Sequence, residues 1–280
     1  MSGVAHRNRK PMAFSYYGGK FSHLNFILTQ LETPHHMFVE LCCGSAVVTI
    51  NKPKAVIEVI NDLSQEVTDF WKALRDHPSK LKHVIDHTPA GESEFKRCID
   101  APPTDDIVER ARRFFVRVSG AYGAKPACAN HSFVGNGSLI RNRNTLPAII
   151  DRMRDVFVEN TDAVRMIERA VNLEKRPERL RPILFYADPP YHNNSRVTNG
   201  GDYIHDDFNH DEFLAAVVSQ PPHVKFAISG YPSPLYDDML SNWHREESVV
   251  SAKSSNAEGS SHRTEVLWRN YAITATERLL

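Results

Sequence analysis

The clearest chemistry in the sequence belongs to Asp188-Pro189-Pro190-Tyr191, four residues that follow directly on an apolar run, Ile183 to Ala187, which reads as a buried strand. An exocyclic amine on a planar ring is a poor nucleophile, because its lone pair is delocalised into the ring. A carboxylate and a backbone carbonyl that accept its two N–H hydrogens would draw the nitrogen toward tetrahedral geometry, and paired prolines would hold the intervening backbone stiff. Asp188 supplies the carboxylate and Pro189 the carbonyl, Pro190 keeps the turn rigid, and Tyr191 can stack on a base swung out of a duplex. A strand ending in a Pro-Pro turn with a surface acid is the plainer reading of the same residues.

Two further groups could serve a nucleoside. In Phe38-Val-Glu-Leu-Cys-Cys-Gly-Ser-Ala-Val47 a strand carrying Glu40 runs through Gly44 into a helix, which lets backbone approach a ligand closely; there is no G-x-G-x-x-G, so a dinucleotide fingerprint is missing. Glu58, followed by Asn61 and Asp62 at the end of the next strand, fits an acid that accepts hydrogen bonds from ribose hydroxyls. Tyr16-Tyr17-Gly18-Gly19-Lys20 could form a lid over S-adenosylmethionine, with Lys20 pairing its carboxylate. A phosphate loop is excluded there: the upstream glycine is absent and Phe21 stands where Ser or Thr would follow the lysine. Taken singly, each group also reads as an ordinary turn between strand and helix.

The elements that must position these residues follow from their flanks. Met37–Leu41, Ala55–Ile60 and Ile183–Ala187 read as buried strands, Val224–Ile228 as another and Glu265–Tyr271 as a late one. Helical patterns cover Gln65–Arg75 behind a Ser64 cap and Asp211–Val218 behind Asn209. Strand and helix in alternation imply a mostly parallel sheet, with ligands beyond the strands' carboxyl ends. From about residue 76 to 155 this rhythm breaks: a helix around Val108–Ser119, a Gly- and Asn-rich passage over 120–144 that reads as loops, and a helix resuming near Pro147–Phe157. Residues 251–262 are Ser-rich, polar and without period, the pattern of a mobile loop.

Charge is uneven although the 280 residues balance at 34 basic and 34 acidic side chains. Residues 107–155 carry nine basic side chains against three acidic ones, a local excess of +6 set against −6 elsewhere. A polyanion-facing insert in an acidic body has this pattern, and so does a solvated helical face. Within it, Arg141-Asn142-Arg143-Asn144 offers side chains suited to guanine, phosphate and adenine, or simply an exposed polar turn; Tyr122 could fill the gap left by a flipped base, or pack.

At 41% hydrophobic the chain can bury one sizeable core with a smaller appended subdomain. No apolar run approaches a membrane span and residues 1–11 lead into no signal-peptide core, so the expectation is a cytoplasmic protein. Four cysteines without a C-x-x-C suggest neither disulfides nor zinc, and the histidines show no metal-binding spacing, so no metal is expected. The oligomeric state is not legible.

In order and spacing these residues resemble the Dam-type, D12-class family of DNA adenine-N6 methyltransferases. The family order is an aromatic-x-G-G-K motif, then F-V-E-P-F-x-G-x-G, an acid before N-D-L, a target-recognition insert and D-P-P-Y; here these are Tyr16–Lys20, Phe38–Ala46, Glu58–Leu63, residues 76–155 and Asp188–Tyr191. The resemblance implies a Rossmann-like α/β S-adenosylmethionine-dependent methyltransferase fold with an inserted target-recognition subdomain. Residues 1–75 form its cofactor-binding portion, 76–155 the insert and 156–280 the catalytic portion. It implies that Tyr16, Lys20, Glu58 and Asp188 contact S-adenosylmethionine, that Asp162 holds the cofactor's adenine, and that Asp188 and Tyr191 serve the target adenine in double-stranded DNA. Departures are Leu41 and Cys42 for the usual Pro and Phe, Ala46 for the second glycine, and Glu58 for the more usual Asp. Rival readings are methylation of cytosine N4, an RNA adenine or a protein glutamine, and a silent DNA-binding relative. Asp188 favours adenine, since relatives acting on cytosine N4 or on glutamine more often carry Ser or Asn there.

Overall fold

The computed structural model describes residues 10–121, 130–174, 181–190, 208–252 and 261–273. Tyr122 and Tyr191 lie outside these. Seven strands, β1 (Met37–Leu41), β2 (Ile57–Asn61), β3 (Phe157–Glu159), β4 (Ile183–Ala187), β5 (Val224–Gly230), β6 (His244–Ala252) and β7 (Ser261–Arg269), form one sheet in the order β3-β2-β1-β4-β5-β7-β6. The first five run parallel and β7 lies antiparallel to β5 and β6. This is the Rossmann-like α/β sheet expected. Strands β1 and β4 are buried along their whole length, as central parallel strands covered on both faces must be.

Register fixes where a ligand can sit. Leu41 is level with Asn61 on one side and Ala187 on the other, and Ala187 is level with Ile228. Cys42, Asp62, Asp188 and Ser229, each one residue further along its own strand or just past its end, therefore stand side by side along one edge. The chain order reverses between β1 and β4, which opens the crevice there.

Ten α-helices occur among the described residues: α1 (Leu24–Gln30), α2 (Val47–Asn51), α3 (Gln65–Asp76), α4 (Pro78–Asp86), α5 (Glu92–Asp100), α6 (Ile107–Gly120), α7 (Phe133–Met153), α8 (Ala163–Glu174), α9 (His210–Val218) and α10 (Pro234–Met239). Helix α9 starts where Asn209 accepts from the Glu212 amide, and α6 where Asp106 accepts from Val108. Much of the passage read as loops over 120–144 instead belongs to α7, a single helix that runs on through Pro147. Within it Leu139, Asn142, Leu146, Ile149 and Met153 are buried, and their spacing of three and four makes a continuous inward stripe. That packing overrides the poor helix propensity of Gly135 and Gly137.

The stripe also corrects the reading of 141–144 as an exposed turn. Asn142 is 1% exposed and donates to Ser119 Oγ of α6 at 3.5 Å, and Arg143 donates to the Asp86 carbonyl at 3.2 Å; Arg141 and Asn144 face outward. Much of the basic excess is likewise neutralised internally. Arg110 pairs with Asp69, Arg112 with Glu94 and Glu109, Arg113 with Glu109, Arg117 with Glu66, Arg152 with Glu58 and Arg154 with Asp151. Most of these pairs tie the helices of residues 76–155 to one another or to α3 and β2. Packing says the same: Phe14, Phe70 and Trp71 from before residue 76 share one apolar cluster with Leu81, Ile85, Phe114, Phe115, Leu146 and Ile149 from after it.

Candidate active site

Tyr16 to Gly19 forms a tight turn in which the Gly19 amide donates to the Tyr16 carbonyl at 2.9 Å and Gly18 takes φ +73°. Positive φ at the third position is the glycine-demanding feature of a type II turn. A Cβ on Gly19 would come within 2.9 Å of the Tyr16 carbonyl oxygen, so both glycines are needed where they stand. The turn sends Lys20 inward, where only 3% of its side chain is open to solvent.

There Lys20 Nζ lies 2.6 Å from Asp188 Oδ1, 3.4 Å from Glu265 Oε1 and 3.3 Å from the Gly18 carbonyl. The ammonium donates to the Gly18 carbonyl and pairs with Asp188, and Glu265 Oε1 stands at ion-pair distance. Ser229 Oγ donates to Asp188 Oδ1 at 3.4 Å and is itself 2.8 Å from the Tyr186 hydroxyl. Asp188 keeps 20% of its side chain open, against 2% for Glu265, so the cluster meets the cleft through Asp188. Burial pushes the Asp188 carboxyl above its ordinary range, with Lys20 opposing.

The loop after β1 is shaped by left-handed backbone at Cys42, Gly44 and Ala46, φ +53°, +46° and +46°. The Gly44 amide donates to Asp62 Oδ2 at 2.8 Å, its carbonyl accepts from Trp71 Nε1 at 2.9 Å, and a Cβ on it would lie 2.9 Å from the Tyr16 ring. Glu40, fully inside, accepts from the Thr49 amide at 2.7 Å and from the Thr49 hydroxyl, which ties β1 to the start of α2. Burial pushes its carboxyl up to about 7 against those bonds. The Cys42 and Cys43 thiols are also pushed well up by burial, which leaves them poor nucleophiles.

A cleft of about 320 Å³ joins these pieces, with Tyr16, Glu40, Gly44, Asp62, Asp162 and Asp188 in its wall. Asp162 Oδ1 accepts from the Val164 and Arg165 amides at 2.8 and 3.2 Å and so caps α8. Asn61 exchanges two hydrogen bonds with Thr161, locking the end of β2 to that cap. The lining is acidic even with Glu40 set aside, with Asp62, Asp162, Asp188 and Glu212 against Lys20, which suits a ligand bearing positive charge.

The structure brings Tyr16, Lys20, Glu40, Gly44, Asp162, Asp188 and Pro190 to one cleft and leaves Glu58 out. Glu58 is the second residue of β2, level with Phe38, and its carboxylate binds Lys52 at 3.0 Å, Arg152 at 2.6 Å and the Ala55 amide at 3.1 Å. Burial pushes that carboxyl up, but Arg152 and Lys52 outweigh it and hold it below the usual range. The acid at the end of β2 is Asp62 instead, in contact with Gly44 and, through Oδ1, with the Ser64 amide at 2.9 Å. Ser229, Tyr186 and Glu265 were not anticipated. The available signal was an acid, Glu265, beside the apolar Val266 to Trp268 of a strand.

Among the described residues no group of His, Cys, Asp or Glu could hold a metal ion, and no helix is long and apolar enough to cross a membrane.

Residues 16–98 match the family model of the D12 class N6 adenine-specific DNA methyltransferases, the family whose motifs the sequence resembles. No curated protein matches the sequence significantly. Three solved structures are similar in outline. One is a candidate RNA methyltransferase from Pyrococcus horikoshii, at 9% identity over 92% of this chain and 85% of that one, TM-score 0.38. Another is an S-adenosylmethionine-dependent methyltransferase from Agrobacterium tumefaciens, at 9% identity over 89% of this chain and 61% of that one, TM-score 0.39. The third is an rRNA methyltransferase from Streptomyces viridochromogenes, at 12% identity over 89% and 83%, TM-score 0.35. At these scores the likenesses carry nothing about substrate.

Proposed function

We propose that this chain transfers a methyl group to the N6 amino group of adenine in DNA, at a specific short sequence. The observation that carries the reading is the placement of Asp188-Pro189-Pro190 at the open end of β4, with Asp188 anchored by Lys20 and facing an acidic cleft. The match to a DNA adenine methyltransferase family over residues 16–98 supports DNA and adenine over the other amines.

The cofactor is S-adenosylmethionine, which when bound supplies an electrophilic methyl on a cationic sulfur. The acidic wall suits that charge, and Gly44, with no Cβ and with Tyr16 against it, lets a nucleoside lie against the backbone. Tyr16, Glu40 and Gly44 would hold it, with Asp62 in place of Glu58 toward the ribose hydroxyls and Asp162 toward its adenine. Lys20 would act on Asp188 rather than on the cofactor's carboxylate.

On the substrate side, Asp188 and the Pro189 carbonyl accept the two N–H hydrogens of N6, which frees its lone pair for in-line attack. Nitrogen would gain the methyl carbon as that carbon's bond to the donor sulfur breaks, S-adenosylhomocysteine leaving with the electron pair, and the proton that nitrogen gives up would pass to the Asp188 carboxylate. Tyr191 stacks on the flipped base. No enzyme nucleophile is needed, consistent with the inert thiols of Cys42 and Cys43. The insert over 76–155 would contact DNA, with the outward-facing Arg141 and Asn144 as the side chains available from 141–144, and Tyr122 as the residue to test beside the flipped base.

The test is transfer of labelled methyl from S-adenosylmethionine to unmethylated duplex DNA, with modified bases mapped by sequencing. N6-methyladenine at one short site, absent with Asp188→Ala, is the expected result. Label on cytosine, RNA or protein instead would replace the substrate; no transfer beside tight DNA binding would leave a silent binding protein.

A further inference from the structure

Glu265 stands on β7, one residue before Val266, which pairs with Gly230 of β5, so an antiparallel strand delivers an acid to the edge where the parallel strands end. It is 2% exposed and 3.4 Å from Lys20 Nζ, on an ammonium that is also 2.6 Å from Asp188. One buried cation thus serves two carboxylates, of which only Asp188 reaches the cleft. A carboxylate buried this deeply is destabilising unless its position matters.

We propose that Glu265 is a positioning residue for the adenine reaction: by sharing Lys20 with Asp188 it fixes the Asp188 carboxylate in place while keeping it a strong hydrogen-bond acceptor. The inference rests on the function proposed above. Without Glu265, Asp188 would lose a competitor for the Lys20 charge, and a carboxylate whose charge is more fully compensated accepts the N6 hydrogens less strongly. Ser229, held by Tyr186, adds a hydrogen bond to the same Asp188 Oδ1 that Lys20 meets. The other titratable groups around Asp188 are Tyr186 on β4, Glu40 on β1, Cys42 after it and Tyr236 on α10, all buried or half-buried.

The experiment compares wild type, Glu265→Gln and Glu265→Asp, with Glu265→Leu as the second charge-removing variant should Glu265→Gln fold poorly. Carboxyl-13C aspartate NMR follows the Asp188 titration in the full chain without ligand, with the signal assigned by its loss in Asp188→Asn; methyl transfer and S-adenosylmethionine binding are measured alongside. In Glu265→Gln the Asp188 midpoint is expected to fall by about one unit, since a competing negative charge is removed. Maximal transfer should drop about tenfold, for a loss confined to the transition state, with cofactor affinity within about twofold. Glu265→Asp, which keeps the charge, should restore much of both. An unmoved midpoint, or a rate loss traced wholly to weaker cofactor binding, overturns the proposal. A wild type that methylates no adenine overturns the functional reading instead, while the midpoint still reports on Glu265.

Discussion

The Tyr16 ring fills the space that a side chain on Gly44 would need: a Cβ there would lie 2.9 Å from Tyr16 Cδ1, and Gly44 is in the left-handed region at φ +46°. The glycine therefore answers two demands at once, close approach and backbone conformation. In Gly44→Ala the strain costs about 1–2 kcal/mol, and the displaced ring closes the cleft. Cofactor affinity measured by calorimetry should fall at least about tenfold, equivalent to about 1.4 kcal/mol. Adding Tyr16→Ala should relieve the clash and leave the strain, so the double variant recovers only some of the lost folding stability.

Ala46 presents the opposite case. It sits at φ +46°, ψ +34° at the entry to α2, where an alanine's methyl group strains the backbone. Ala46→Gly removes a strain of about 1–2 kcal/mol but loosens the unfolded chain by about 0.4–1 kcal/mol, so the net gain is up to about 1.6 kcal/mol. Chemical denaturation should show a midpoint shifted upward with an unchanged slope.

Glu40 links stability to pH. Its carboxyl is pushed by burial from 4.5 to about 7, so the folded state favours the protonated form. A raised acid contributes stability that is fully present below its unfolded value and is lost as pH rises through its folded value, here between about 4.5 and 7. Glu40→Gln imitates the neutral form. In the cofactor-free protein it should match wild type near pH 4 and exceed it at pH 8 by about 3 kcal/mol; equal stability across that range would refute the assignment.

The Glu58 cluster separates structure from ligand binding. Glu58→Ala leaves Lys52 and Arg152 without their buried partner, a change that costs about 3–5 kcal/mol, and melting should register it. Cofactor affinity of the folded fraction should stay within about twofold. A selective loss of affinity with unchanged melting would return Glu58 to the binding site.

Catalysis should fail on the acid side above the usual carboxylate range, because protonating Asp188 removes the acceptor and burial raises its midpoint. The rate profile should lose this limb, together with at least about 100-fold in rate, in Asp188→Asn.

The strands that build the site were legible because β1 and β4 are short apolar runs buried on both faces, and their ends coincide with the motif residues. Glu58 was misplaced by a matter of length. Strand β2 runs on to Asn61, so an acid three residues earlier lies roughly 10 Å back from the ligand edge at the usual rise per residue. Strand β3 is three residues long with Phe157 exposed, and β6 begins His-Arg-Glu-Glu with both faces largely open, so neither shows a burial period. The register of β7 against β5, which brings Glu265 to Lys20, depends on pairing distant in sequence and no local pattern carries it.

The bond from Trp71 to the Gly44 carbonyl has a bearing on engineering. Trp71 lies on α3, and α3 is fastened to α6 by Asp69–Arg110 and by the rings of Phe70 and Phe115, stacked at 6.1 Å. Residues 76–155 are thus no detachable cassette: replacing them as a block would unseat the helix that steadies the glycine loop. A working chimera would have to carry the facing side of α3 along with the graft.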